Sequence, residues 1–368
     1  MVFKLNHIRR SIDHYSQNTL KDGRGKRKIL LSNWHRWIAY ITAVWSFFYG
    51  FLGLYWALGG AGFPFGENDS RGFMMGSFLA NIQSDVGGVT IACIGGIGSI
   101  TALATIRMWG KMIPRAVLLI FAWIMCITLV MVIPDVRVLQ NFAYSFMLHF
   151  QLIDWPVINQ LLCMVGGFLW GATALAYQRR SREACENCGR QKETQDTSIA
   201  GNSFGKYATY IAIVMALPYG IVRLAWAAGI PLGVSDAAAT LISNQSFTER
   251  LIEAVLGGLP ICGAILTLGL IQKWGEKFPR WCLYLAGKRV PIWFAVIPAT
   301  CASVLITLAG LKISPIIISK ILNGSINTGN WGELGPSLFW LPWGIALGLA
   351  TIAYYLRRRG QCKYCRRF

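Results

Sequence analysis

The sequence predicts an all-α integral membrane protein, with eight transmembrane helices arranged as two parallel four-helix repeats. Three observations predict it: an apolar, charge-poor composition, eight long apolar windows, and a set of motifs that recurs at constant offsets. Of the 368 residues 54% are hydrophobic and only 14% charged, and the mean hydropathy is +0.46. Soluble domains carry about 25% charged residues, so this composition belongs to lipid. It excludes a disordered chain, a coiled coil and a disulfide-rich secreted scaffold. The 13% aromatic content, with 15 Trp, suits a chain that marks two membrane–water interfaces.

A helix crossing a hydrocarbon core about 30 Å thick needs about 20 mostly apolar residues. Eight windows qualify: residues 37–58, 87–106, 116–133, 155–177, 207–229, 251–271, 292–311 and 337–355. Their connecting segments divide the basic residues sharply, with 29 of the 35 Lys and Arg on the side that holds both termini. Positive residues remain cytoplasmic, so both termini are expected inside a plasma membrane. The net charge of +19 then reflects topology and attraction to anionic lipid headgroups, and no nucleic-acid partner is expected. The basic tail 1–36 is too long and too charged for a secretory signal, so the first span is read as a retained anchor.

The two halves repeat each other. Tyr49, Gly50, Trp56, Ala57 and Gly59 recur 170 positions later as Tyr219, Gly220, Trp226, Ala227 and Gly229. Gly98, Leu103, Trp109-Gly110 and Pro114-Arg115 recur 165 later as Gly263, Leu268, Trp274-Gly275 and Pro279-Arg280. Gly171, Tyr177, Arg180, Cys185 and Cys188 recur 177 later as Gly348, Tyr354, Arg357, Cys362 and Cys365. The organisation is therefore a tail (1–36), a first repeat (37–190), a linker (191–206) and a second repeat (207–368). Four spans are an even number, so the repeats share one orientation. Such halves commonly enclose a pathway, but a duplicated bundle without a cavity is equally consistent with the pattern. The Gly-rich runs of the second and sixth spans read as close helix packing.

Cys185-Glu-Asn-Cys188 and Cys362-Lys-Tyr-Cys365 end the two repeats on the cytoplasmic side, where disulfides are disfavoured. Two CxxC pairs fit one tetrahedral four-thiolate zinc site, a structural one because no coordination position is left for a catalytic water. The flanking arginines (Arg179, Arg180, Arg182, Arg357, Arg358, Arg359) are expected to favour the thiolate. If the pairs never meet, they are redox dithiols or incomplete sites instead.

At the outer side, Arg223 lies inside the fifth span, and Glu253 near the start of the sixth is its expected partner. Asp135, after the third span, completes the set proposed to bind an anionic substrate. Arg137, Asp85, Asp154 and Asp236 could join it around a vestibule, the alternative being a solvated rim. Residues 138–151 read as an amphipathic helix resting in the outer interface or closing a cavity as a lid, with residues 315–322 as a shorter counterpart. Pro218 lies inside the fifth span and Pro231 follows it.

The only histidines, His7, His14, His35 and His149, lie outside the spans, and there is no HExxH, GxSxG, P-loop or Rossmann fingerprint. No catalytic residue is indicated. Residues 37–66, the Trp-Gly and Pro-Arg loops and the Arg-rich CxxC ends resemble an uncharacterised family of bacterial polytopic membrane proteins without an assigned activity. The resemblance covers most of the chain after the tail, implies a bacterial plasma membrane and carries over no site residue. Three functions follow as expectations: a transporter or flippase for a small or lipid-linked anionic substrate, a scaffold or signalling protein binding a soluble cytoplasmic partner, and a thiol oxidoreductase.

Overall fold

Among the described residues, eight helices are long and apolar enough to cross a membrane. The computed structural model describes residues 34–107, 114–150, 152–190, 200–278, 286–362 and 364–366. Most of the basic tail, Trp109-Gly110, Gln151, residues 191–199, Pro279-Arg280, Cys282, Lys363 and Arg367 lie outside these. The first four spans are α1 (Trp34–Ala57), α2 (Ser84–Arg107), α3 (Arg115–Ile127) and, after a short helix α4 (Val136–Ser145), α5 (Trp155–Ser181). The last four are α6 (Ala200–Ala227), α8 (Phe247–Leu268), α9 (Ile292–Leu322) and α11 (Trp340–Arg358), with short α7 (Asp236–Ser243) and α10 (Trp331–Leu334) between them. Among the described residues the only β pairing is an isolated bridge, Lys277 with Arg289.

Local chemistry sets the helix starts. Asp154 caps α5 by accepting from the Val157 N–H at 3.1 Å, with Pro156 in the first turn. Ser246 and Glu249 form a reciprocal capping box at α8. Asp135 caps α4, accepting from the Arg137 N–H at 2.9 Å.

The same neighbours pack together in both halves. In the first, α1 lies on α2, α3 on α5 and α1 on α5; in the second, α6 lies on α8, α9 on α11 and α6 on α11. Lipid tails offer no hydrophobic drive between helices, so small residues set how close backbones come. A Cβ on Gly53 would meet the Ala92 backbone at 2.7 Å, and one on Gly257 the Leu224 backbone at 2.9 Å. Large side chains such as Phe47, Phe48, Phe51, Trp293 and Phe294 project outward, as lipid contact requires. The fourth span α5 is the hub, with 61% of its most apolar window buried, and α11 follows at 44%, against 22–33% for the other spans. The two most enclosed spans are the two that lead into the CxxC pairs.

Three sequence expectations change in detail. Residues 315–322 are no separate interfacial helix: Pro315 is accommodated inside the continuous 31-residue α9. The third span ends in a π-helical turn, Thr128–Val132. The segment expected as a helix over 138–151 is helical over 136–145, and its first turn is not interfacial. Val138 is buried, and with Met164, Leu305 and Leu308 it forms a core between the halves. Phe142, Phe146 and Phe150 remain exposed.

Candidate metal centre and charged clusters

The two CxxC pairs, 177 residues apart in sequence, come together at one end of the molecule. The Cys185 and Cys362 sulfurs are 4.0 Å apart and those of Cys188 and Cys365 3.5 Å. All four lie within 4.8 Å of one another, and none is in a disulfide. A tetrahedral site with metal–sulfur bonds of about 2.3 Å requires sulfurs about 3.8 Å apart, so the cluster is close to the size a single ion needs. Four sulfurs suit zinc, or iron as the other ion of this geometry.

The loops that present the sulfurs make the same turn. The Gly189 N–H donates to the Cys185 carbonyl at 2.7 Å and the Arg366 N–H to the Cys362 carbonyl at 2.8 Å. Both donors have positive φ, +75° at Gly189 and +56° at Arg366. Only glycine takes that conformation without strain, so the second loop is the costlier copy. Arg190 ties the halves further, donating to the Gly360 and Arg359 carbonyls at 3.1 and 3.3 Å.

Burial raises thiol pKa values, but the Cys362 sulfur accepts hydrogen bonds from the Cys365 and Tyr364 N–H groups and from the Cys188 and Cys365 thiols, which together lower it to about 6. Burial, with the neighbouring thiols, pushes Cys188 up to about 12. Without a metal the cluster therefore gathers negative charge first at Cys362, and that charge opposes further ionisation. The flanking arginines are not the cause. Arg179 donates to the Glu186 and Asn187 carbonyls, Arg180 to Ile106, Arg357 to Leu270 and Arg358 to Val290, all at 2.7–3.2 Å. They close helix ends and brace loops.

At the opposite end, the sequence-derived trio divides between two clusters. Arg223 and Glu253 do meet, with the Arg223 Nη1 at 2.9 and 2.8 Å from the two carboxylate oxygens. The guanidinium also lies 5.2 Å from the Tyr219 ring centre and 4.9 Å from that of Trp226. The matching rings of the first half, Tyr49 and Trp56, pack edge to face at 6.3 Å. Gly53 stands at the position of Arg223 there, and a Cβ on it would meet the Ala92 backbone, so the first half has no guanidinium in this layer.

Asp135 belongs elsewhere. It is fully buried, held by Arg137 Nε at 3.0 and 3.1 Å and Nη2 at 2.6 Å, and by Gln160 at 2.8 Å. Arg137 also binds Asp69, at 2.8 Å through Nη1, and Arg71 pairs with Asp154. Burial disfavours the Arg137 charge, but the hydrogen bonds it donates to Asp135 and Asp69 outweigh that and raise its pKa. The Asp154 carboxyl, pushed up by partial burial, is brought below its usual value by Arg71 and the Val157 N–H. The solvated-rim alternative fails for Asp135, whereas Asp85 and Asp236 are exposed.

The sequence reading left out Asp69, Arg71, Gln160 and Lys312. One signal was available. The side opposite the cysteines holds only five basic residues outside the fifth span, and three of them, Arg71, Arg137 and Lys312, have buried or half-buried partners.

Two shallow recesses lie within the first half. One, about 10 Å³, is lined by Ala39, Thr105, Thr173 and Tyr177 among others. The other, about 350 Å³, opens between Glu67 and Asp85. Neither marks a pathway between the halves. Compared with the models of known families, with curated proteins and with solved structures, the chain finds no match.

Proposed function

We propose that this chain is a plasma-membrane scaffold made of two like-oriented copies of a four-span unit, joined at the cytoplasmic face by one structural zinc ion. Cys185, Cys188, Cys362 and Cys365 are its ligands, two from each copy. The convergence of the four sulfurs within 4.8 Å carries this reading. The ion would neutralise the clustered thiolates and hold α5 and α11 end to end. The recurring neighbour pattern of the helices and the matched turns at Gly189 and Arg366 support the duplication.

The basic cytoplasmic loops would lie on anionic headgroups and, with the zinc-ordered ends of α5 and α11, offer a platform for a soluble partner. Metal analysis of the purified protein tests the site: one zinc per chain is expected, and none in a variant with Cys362 and Cys365 changed to Ser. Capture of a soluble protein by the wild type but not by that variant tests the scaffold. Equal capture by both would remove the cysteine site from partner binding.

Transport of an anionic small or lipid-linked substrate is the second reading, favoured by one observation: Arg223 is charged inside a span and not fully enclosed. Against it, Glu253 already balances that charge. Arg223→Gln in reconstituted vesicles should abolish substrate movement on this reading, and unchanged movement would exclude Arg223 from it. A thiol oxidoreductase would have to cycle its cysteines, so sulfurs that resist alkylation until a chelator is added would rule it out.

A further inference from the structure

The third span ends with an unsatisfied carbonyl. The chain leaves the π turn at Ile133, Pro134 has no N–H to donate, and the Val136 N–H turns away to the Met75 carbonyl at 3.5 Å. The half-buried Val132 carbonyl, at the negative end of the helix dipole, is left without the donor its own helix would supply. That donor comes from the other half of the molecule. Lys312, on α9, is 3% exposed and places its Nζ 2.6 Å from the Val132 oxygen.

The socket around Lys312 is built from first-half segments. Phe78 lies under the ammonium, with the ring centre 3.5 Å from Nζ. Gly76 has φ +75°, and a Cβ there would be 3.2 Å from Lys312 Cβ. The loop bearing Gly76 and Phe78 is anchored in turn, because Asp69 in the same loop is paired with Arg137. Beneath the socket the halves share the core of Val138, Met164, Leu305 and Leu308.

We propose that Lys312 is a pin that fastens the second half into the first at the membrane face opposite the cysteines, so that the halves are joined at two points and not hinged at one. An ammonium withdrawn from that socket would leave a half-buried carbonyl without its donor and an emptied cation–π contact. The proposal depends on the zinc reading only for the second point of attachment.

The test uses the full chain with a protease site placed within residues 191–199, cut after purification in detergent and run on a sizing column. Wild type and Lys312→Met are compared with and without a chelator, and metal content is measured in each fraction. Expected are joined halves in three conditions, and at least tenfold more separated halves for Lys312→Met with chelator than for wild type with chelator. Lys312→Arg, which keeps a charged donor, should behave as wild type. Equal separation of wild type and Lys312→Met after chelation would overturn the pin. Absence of metal from untreated protein would instead overturn the cysteine site, while the comparison at Lys312 still decides the pin. Should Lys312→Met fail to fold, Phe78→Ala removes the ring and spares the charge; it should raise separation after chelation at least threefold, and no rise would count against the pin.

Discussion

Gly189 and Arg366 do the same work with unequal ease. Each donates its N–H back across a CxxC loop from positive φ, and only one is glycine. A β-carbon in the left-handed region costs about 1–2 kcal/mol. Gly189→Ala should therefore destabilise the site by about that amount, and its Cβ would also press on Arg179 at 3.2 Å. Arg366→Gly should strengthen metal retention by a similar amount, both read as the chelator concentration that removes half the metal. The Cys362 pKa lies below that of a free thiol, near 9, so its thiolate exists above about pH 6 and is lost as pH falls through that value. In metal-free protein Cys362 should alkylate first, half-maximally near pH 6, and Cys188 should stay inert at neutral pH. At the other face, Arg137→Met strands Asp69 and Asp135 in a buried site. Breaking such a pair costs about 3–5 kcal/mol, so a clear drop in the thermal midpoint is expected. The cysteines were legible because CxxC spacing is local and the geometry of one tetrahedral ion is restrictive. Asp69 was not, because its partner is 68 residues away and an Asp in a polar loop looks like any solvated Asp.

Among the elements, the spans are where sequence reading works best, since hydrocarbon thickness alone dictates about 20 apolar residues. Its failures come from the same source. The window 292–311 stops where lipid would stop, but α9 runs on to Leu322, with Lys312, Ser314 and Ile317 buried and residues 318–322 exposed. At 1.5 Å per residue its 31 residues span about 46 Å, longer than the hydrocarbon core. Pro315 looked like a break because a proline removes one backbone hydrogen bond. Likewise, the helicity of residues 136–145 was visible in their periodicity, but Val138 and Leu139 face another helix pair, not lipid, which periodicity cannot distinguish. The α1–α2 crossing gives a test at this scale. Gly50 and Gly95 bring the two backbones together, and a Cβ on Gly95 would lie 2.7 Å from the Ser46 carbonyl. Gly95→Leu should force the pair apart and lower the thermal midpoint of the detergent-solubilised protein, whereas Gly96→Leu, where a Cβ meets nothing within 4 Å, should leave it unchanged.

Taken whole, the molecule departs from a symmetric pair in informative places. The halves repeat their helix neighbours and their cysteine turns, yet Arg223 answers to Gly53, and the Arg137 cluster is built almost entirely from the first half. The ion-paired clusters of Arg223 and Arg137, where the halves differ most, lie away from the cysteines. In the proposed arrangement one ion bridges both halves. X-ray absorption at the zinc edge, with metal quantified per chain, tests it most directly. One zinc per chain with four sulfurs at about 2.3 Å, lost in both Cys185→Ser/Cys188→Ser and Cys362→Ser/Cys365→Ser, is the predicted result. Zinc retained after removal of either pair, or a shell containing nitrogen or oxygen, would contradict it.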